Sequence, residues 1–222
     1  MALGEPLDWT PAERPSRIAL HGSHVLLRPI DPEADAEPLY AVSRDGAIWT
    51  YLFDGPYETL EEFRVSLEAA SPLDDPLRWT MVRLPGEHPE GMASYMRIKP
   101  EHGVIEIGSI WFGTPIQRTT AATEAIYLLA RHAFDDLGYR RLEWKCDALN
   151  AASRSAAGRF GFTFEGVFER HMVVKGRNRD TAWYAITDVR WPSVRAAFET
   201  WLDPLNFAPD GRQRRSLREL TA

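Results

Sequence analysis

The feature that most constrains this chain is a change of hydrophobic period at Gln117. Upstream, RWTMVRL, GMASYMRI and VIEIGSIWF (Val104 to Phe112) read as three strands divided by Pro, Gly and His turns, with LPGEHPEG as a hairpin loop. Downstream, Ala122, Ile126, Leu129, Ala130, Ala133 and Leu137 recur at helical spacing, and Gly138 is a natural stop. RLEWKCD then returns to period two, with Leu142, Trp144 and Cys146 on one side and Glu143, Lys145 and Asp147 on the other. Asn150 is a good cap for the helix AASRSAAGRF, which Gly161-Phe162 breaks. Two more strands, FTFEGVFERHMVV and DTAWYAITDVRW, are joined by the polar loop KGRNR, and Pro192 starts a last helix. Near the start, HVLLRPI reads as a strand; DPEADAEPLYAVSRD and ETLEEFRVSLEAA read as helices around the aromatic, turn-rich IWTYLFDGPY. This order predicts one α+β domain with a mixed sheet over residues 23–207, an extended arm over 1–22, and an Arg-rich mobile tail over 208–222.

Composition excludes several classes. With 44% hydrophobic residues in 222, a sizeable core is available. A formal charge of -6 argues against a general nucleic-acid coat, and no apolar run is long enough for a signal peptide or membrane span. The expectation is a cytoplasmic protein with neither membrane nor nucleic acid as partner. One cysteine, Cys146, rules out an intramolecular disulfide; it reads as a core residue, with no basic partner to make it a catalytic thiol. The histidines show no metal-binding spacing, so no metal is expected, and His132 is expected at the surface. No G-x-x-x-x-G-K-[ST] occurs, which disfavours a nucleotide-dependent kinase or ligase.

Where a strand runs into a helix N-terminus, unpaired N–H groups and the helix dipole can hold an anion. The segment Gln117-Arg118-Thr119-Thr120-Ala121-Ala122-Thr123 has small side chains that let a ligand approach the backbone, and Arg118 adds a charge suited to phosphate. An ordinary connection capped by Thr119 or Thr120 is the plainer alternative.

Taken in order, EIGSIWFG, the Q-x-x-T-x-A-x-E-A opening of a long helix, N-A-A-S before a short helix, and the following G-F resemble the GNAT superfamily of acyl-CoA-dependent N-acyltransferases, in its RimJ/RimL-type branch. The resemblance runs from about His24 to Trp191. The family writes its pyrophosphate loop Q/R-x-x-G-x-G/A; Gln117 and Ala122 match its ends, while Thr120 stands in place of glycine, which requires helical backbone there. The resemblance implies a mixed, mostly antiparallel twisted sheet flanked by helices, with a splayed central strand pair. It also implies acetyl-CoA, or another acyl-CoA, as co-substrate, its pyrophosphate on residues 117–123. The thioester would lie against the backbone near Ile110 and Trp111, and Asn150 and Ser153 would lie beside the pantetheine and sulfur, with Ser153 a candidate proton donor.

Glu106, two residues before Gly108 in an otherwise apolar strand, is the candidate base; a salt-bridged sheet residue is the equal alternative. Arg154 and Arg159 are candidates for phosphate contacts or solvated helix charges. The acceptor pocket would draw on Trp49, Tyr51, Phe53 and Asp54, suited to an amine on an apolar body. Arg177 and Arg179 in the second hairpin point instead to an acidic substrate, or merely solubilise the tip. The implied activity is transfer of an acetyl group to a primary amine, on a small molecule or a protein N-terminus. A catalytically silent CoA-binding domain is the alternative, and a homodimer is left open.

Overall fold

The computed structural model describes residues 3–221. Its strands are β1 (Leu20–His21), β2 (Val25–Pro29), β3 (Leu77–Arg83), β4 (His88–Lys99), β5 (Val104–Phe112), β6 (Arg141–Asp147), β7 (Thr163–Val174) and β8 (Arg177–Thr187). They form one sheet in the order β1-β2-β3-β4-β5-β6-β8-β7, antiparallel except where β5 meets β6. The helices are α1 (Pro32–Val42), α2 (Leu60–Ala70), α3 (Thr120–Arg131), α4 (Ala151–Arg159), α5 (Trp191–Leu202) and α6 (Leu217–Thr221).

Local chemistry sets the helix starts. Asp31 accepts from the amides of Glu33 and Ala34, and Thr59 forms a full capping box with Glu62. Two cores result, one on each face of the sheet. The larger joins α3 and α5 to Trp79, Tyr95, Ile105, Ile107, Leu142 and Trp144. The smaller packs Leu39, Trp49, Phe63 and Leu67 from the α1–α2 region against Met92 and Trp111.

α3 departs from the expected single apolar stripe, since every residue from Ala121 to Ala130 is buried. α5 covers its back: Trp191 stacks on Tyr127 and Phe134, centroids 6.4 and 5.0 Å away. Beyond Arg131 the helix widens into a π-helical turn, His132–Asp136. His132 is therefore not at the surface. It is buried, stacks on Tyr95 and bonds Asp136 through Nδ1 at 2.8 Å.

One carboxylate ties α3 to the edge of the sheet. Glu124, buried, accepts from the amides of Ser23 (2.9 Å), His24 (2.6 Å) and Val25 (3.0 Å). Gly22 leaves room for it, since a Cβ there would lie 2.5 Å from the Glu124 carboxyl carbon.

The two chain ends differ from expectation in how closely they join the domain. The arm runs extended, pinned by Trp9 Nε1 on the Glu101 carbonyl and Arg17 on Asp74, but it ends as strand β1 of the sheet. The tail expected to be mobile folds back. Leu217 is fully buried, Trp201 Nε1 donates to Gln213 Oε1 at 2.8 Å, and the Asn206 amide bonds both backbone groups of Arg215. Leu217, with Leu220 packed beside the core, decides where it goes. No helix among the described residues is long and apolar enough to cross a membrane.

Candidate active site

β5 changes face partway along. Ile105 and Ile107 point into the larger core, whereas Trp111 belongs to the smaller one, and Ile110 and Phe112 have taken the larger-core side. The cause is a bulge: Gly108 pairs with Ser94 but Trp111 with Met92, so β5 carries one extra residue, with Ser109 at φ 47°. β5 pairs with β6 only from Val104–Arg141 to Glu106–Glu143. Past that point the two strands separate, and a cavity of about 1020 Å³ opens between them.

The loop before α3 forms one wall of this cavity. Gln117 Nε2 bonds the Phe112 carbonyl at 2.9 Å, and Arg118 takes a left-handed φ of 60°. Thr119 is the N-cap; its hydroxyl donates to the Ile116 carbonyl and accepts from Ala122 N–H. Thr120 is the first helical residue, so a side chain is tolerated where the family has glycine, and the unusual φ falls two residues earlier. The N–H groups of Thr120 and Ala121 have no partner among the described residues, as first-turn amides lack intrahelical acceptors. Gln117, Arg118, Thr119, Thr120, Ala122 and Thr123 line the cavity. The Ala121 side chain does not; it packs in the core, leaving that residue only its amide to offer.

The start of α4 forms the facing wall. Asn150 Oδ1 caps the helix on the Ser153 amide at 3.0 Å. Trp144 Nε1 donates to Ser153 Oγ at 3.0 Å, which leaves the serine proton free to donate elsewhere. Burial pushes the neighbouring Cys146 thiol up, and the nearby Ser153 hydroxyl opposes that shift. Cys146 is both a core residue and a cavity-lining one. Arg159 lines the cavity, bonds Thr123 Oγ1 at 3.1 Å and lies over Trp201; burial pushes its pKa down. Arg154 instead turns away to the Tyr184 hydroxyl. Phe207, with Gly211 and Gln213 of the folded-back tail, completes the cavity wall.

Glu106 sits at the splay point, 3% exposed, within a chain of charges. Its Oε2 takes Arg97 at 2.6 Å and Lys145 at 2.9 Å; Lys145 also holds Glu143 at 2.6 Å and lies 3.9 Å from the Trp183 ring centre. Glu143 is shared with Arg141, which clamps Glu165 and is pushed up chiefly by that bond. Glu106 is thus salt-bridged, yet its Oε1 accepts no hydrogen bond among the described residues and points toward Gly108 on the cavity side. Lys145 and Arg97 were not singled out from sequence. RLEWKCD does place Lys145 opposite Trp144 and Cys146, but sequence does not show that this second face is also covered.

Of the four acceptor-side residues predicted, Tyr51 and Phe53 line the cavity and the other two do not. Trp49 is 3% exposed, donates to the Ser43 carbonyl and packs among Tyr57, Phe63 and Trp111 as core. Asp54 faces away and accepts from the Tyr57 hydroxyl. The segment is tied across the cavity mouth by Tyr51 Oη on the Leu149 carbonyl (3.2 Å) and Lys175 Nζ on the carbonyls of Trp49 and Asp54 (both 2.9 Å). No cluster of three metal-ligating side chains occurs among the described residues.

A family model described as an acetyltransferase (GNAT) domain matches residues 24–163. A GCN5-related N-acetyltransferase structure from Brucella melitensis is 45% identical, with TM-score 0.94 and coverage of 96% of this chain and 98% of that one. A probable GNAT-family acetyltransferase from Chromobacterium violaceum is 37% identical, with TM-score 0.80 and coverage of 86% and 98%. RimL, a ribosomal L7/L12 alpha-N-protein acetyltransferase in complex with coenzyme A, shares the fold at 22% identity, TM-score 0.65 and coverage of 77% and 98%. The comparison with curated proteins gave no match. A bulged strand splayed from its parallel neighbour, a match over most of the chain and a near full-length relative together mean that this chain belongs to the GNAT family of N-acetyltransferases.

Proposed function

We propose that the chain transfers an acetyl group from acetyl-CoA to a primary amine, on a small molecule or a protein N-terminus, by direct attack in a ternary complex. The observation that carries this reading is the continuity of the cavity. It runs from the unpartnered amides of Thr120 and Ala121, through the splay beside Ile110 and Trp111, to the mouth beneath Tyr51 and Phe53. Two open amides at a helix start, with Arg118 beside them, fit a pyrophosphate; the residues present are therefore suited to coenzyme A. RimL is described with a coenzyme A–cysteine disulfide. The lone Cys146 of this chain also lines the cavity, beside Ser153, which supports placing the sulfur end of acetyl-CoA there.

In this reading acetyl-CoA supplies a thioester carbon open to nucleophilic attack. Backbone N–H groups near Ile110, past the point where β6 leaves β5, orient its carbonyl. The amine must reach that carbon unprotonated. Glu106 Oε1, free and facing the cavity, takes the ammonium proton through water while Arg97 and Lys145 hold Oε2 in place. As the C–N bond forms and the C–S bond breaks, Ser153, whose oxygen already accepts from Trp144, passes its own proton to the departing thiolate and regains one from the attacking nitrogen, which leaves a neutral amide and free thiol. Asn150 holds that serine at the helix start.

Calorimetric titration with acetyl-CoA, followed by thiol-release assays over an amine panel, tests the proposal. Ala122→Phe fills the wall beside the free amides and should weaken acetyl-CoA binding at least tenfold. Ser153→Ala should keep the affinity and lower kcat by about tenfold or more, at the modest end of proton-transfer effects. Folded wild type that binds no acetyl-CoA would end this reading.

A further inference from the structure

We infer that Arg179 binds a substrate carboxylate. The inference rests on the acetyl-transfer reading and adds to it a chemical class for the substrate. KGRNR reads as a polar loop, but only Lys175 and Gly176 form the turn, and Arg179 is a β8 residue, 6% exposed. Its Nε donates to Thr181 Oγ1 at 3.3 Å, and Phe53 from the cavity roof lies 4.9 Å from its guanidinium carbon. No carboxylate among the described residues lies within ion-pair distance of it. Its neighbours are matched differently: Arg97 and Lys145 both hold Glu106, and Arg141 holds Glu143 and Glu165. Burial pushes the pKa of Arg179 down and outweighs Asp147 and Glu106, which pull it up from beyond ion-pair distance.

An arginine removed from water and given no anion is costly unless a ligand supplies one, and the planar fork suits a carboxylate. Arg179 lines the cavity, and its terminal nitrogens, without a hydrogen bond among the described residues, open onto it. The side is informative too. Thr181 pairs with Asp147, and Trp183 stacks under Lys145, so this stretch of β8 serves the face covered by the α1–α2 segment. That places the carboxylate beside the acceptor, beneath Phe53, and away from the pyrophosphate loop. Two sources share this chemistry: an amine that carries a carboxylate, or an acyl chain ending in one.

The test uses the full chain, with Arg179→Gln and Arg179→Met. Thiol release is measured with acetyl-CoA on amino acids and short peptides, each paired with its neutral carboxamide. A second arm compares succinyl-CoA with butyryl-CoA on the same amines. The wild type is expected to prefer the carboxylated member of a pair, in the amine arm if the acceptor carries the anion and in the acyl arm if the donor does. Both variants should erase that preference, by about 10²-fold in kcat/KM, mostly through KM. Acetyl-CoA affinity by calorimetry should stay within twofold; its absence in the wild type would count against the acetyl-transfer reading itself. The melting temperature of Arg179→Met without substrate should equal or exceed that of the wild type, since an uncompensated cation is removed. A variant that melts several degrees lower, a wild type with no preference in either arm, or a preference that survives in both variants overturns the inference.

Discussion

Glu124 offers a quantitative test of how α3, and with it the loop at its start, is held to the sheet. Its carboxylate takes three backbone N–H groups, from Ser23, His24 and Val25, at 2.6–3.0 Å. Glu124→Gln preserves volume and removes charge. The best the amide can do is keep its oxygen on His24 and Val25 and turn its NH2 toward the Ser23 N–H, donor against donor. One charge-assisted bond is lost and two become neutral. Bonds to charged groups contribute about 1.5–3 kcal/mol and neutral ones about 0.5–1.5. The loss is then roughly 3.5–6 kcal/mol, the lower end applying because the Ser23 and His24 amides are only partly buried. With a urea slope of about 3 kcal/mol per M for a chain of this size, the unfolding midpoint should fall by about 1–1.5 M. Gly22→Ala attacks the same contact from the other side, as its Cβ would meet the carboxylate at 2.5 Å and the Val25 carbonyl at 2.9 Å. The double variant should therefore lose about 1 kcal/mol or more less than the sum of the single losses. A midpoint shift below about 0.3 M for Glu124→Gln, or strict additivity, would refute the reasoning.

Gly108→Ala would overlap Met96 Sδ and come within 3.1 Å of Glu106 Oε1. The thioether can yield, so stability should drop by less than about 1.5 kcal/mol, while kcat falls several-fold at unchanged acetyl-CoA affinity; unchanged turnover would remove Glu106 Oε1 from the chemistry. Cys146 has a thiol pushed up by burial, so its thiolate forms at higher pH in the folded than in the unfolded chain. Its contribution to stability is therefore complete below the ordinary thiol range and declines as pH rises through the folded value. Alkylation at pH 8 should be at least tenfold slower in the native protein than in urea, and equal rates would contradict its burial.

Much of the fold was legible because period and punctuation agreed. The expected span of β5 is the observed one, and Gly138, Asn150 and Thr119 stop or cap helices as their chemistry suggests. The failures share a cause, which is that one segment's pattern does not reveal what covers it. α3 read as amphipathic although α5 supplies a second apolar partner, and the tail read as mobile because its arginines outnumber the leucines that anchor it. In the site, the loop and the start of α4 were readable because capping and small side chains are local signals. Trp49 was misplaced since an aromatic looks alike in a core and in a pocket. The charges around Glu106 were missed because Arg97 comes from β4 and Glu143 and Lys145 from β6, and they meet β5 only in the sheet.

The bulge at Ser109 makes β5 sensitive to counting rather than to chemistry. Ahead of it, odd-numbered residues feed one core; after it they feed the other. Conservative exchanges at Ile110 or Phe112 alter volume by a methylene or two, which packing can absorb. Deleting a single residue between Gly108 and Trp111 would instead remove the bulge: Trp111 would stay opposite Met92 on its present face, but β5 would run straight on from Glu106, alongside β6, and the cleft between them would close. In this stretch, chain length itself sets the opening: the side chains can keep both cores after one position is lost, but the cleft exists only because β5 is one residue longer than its partner requires.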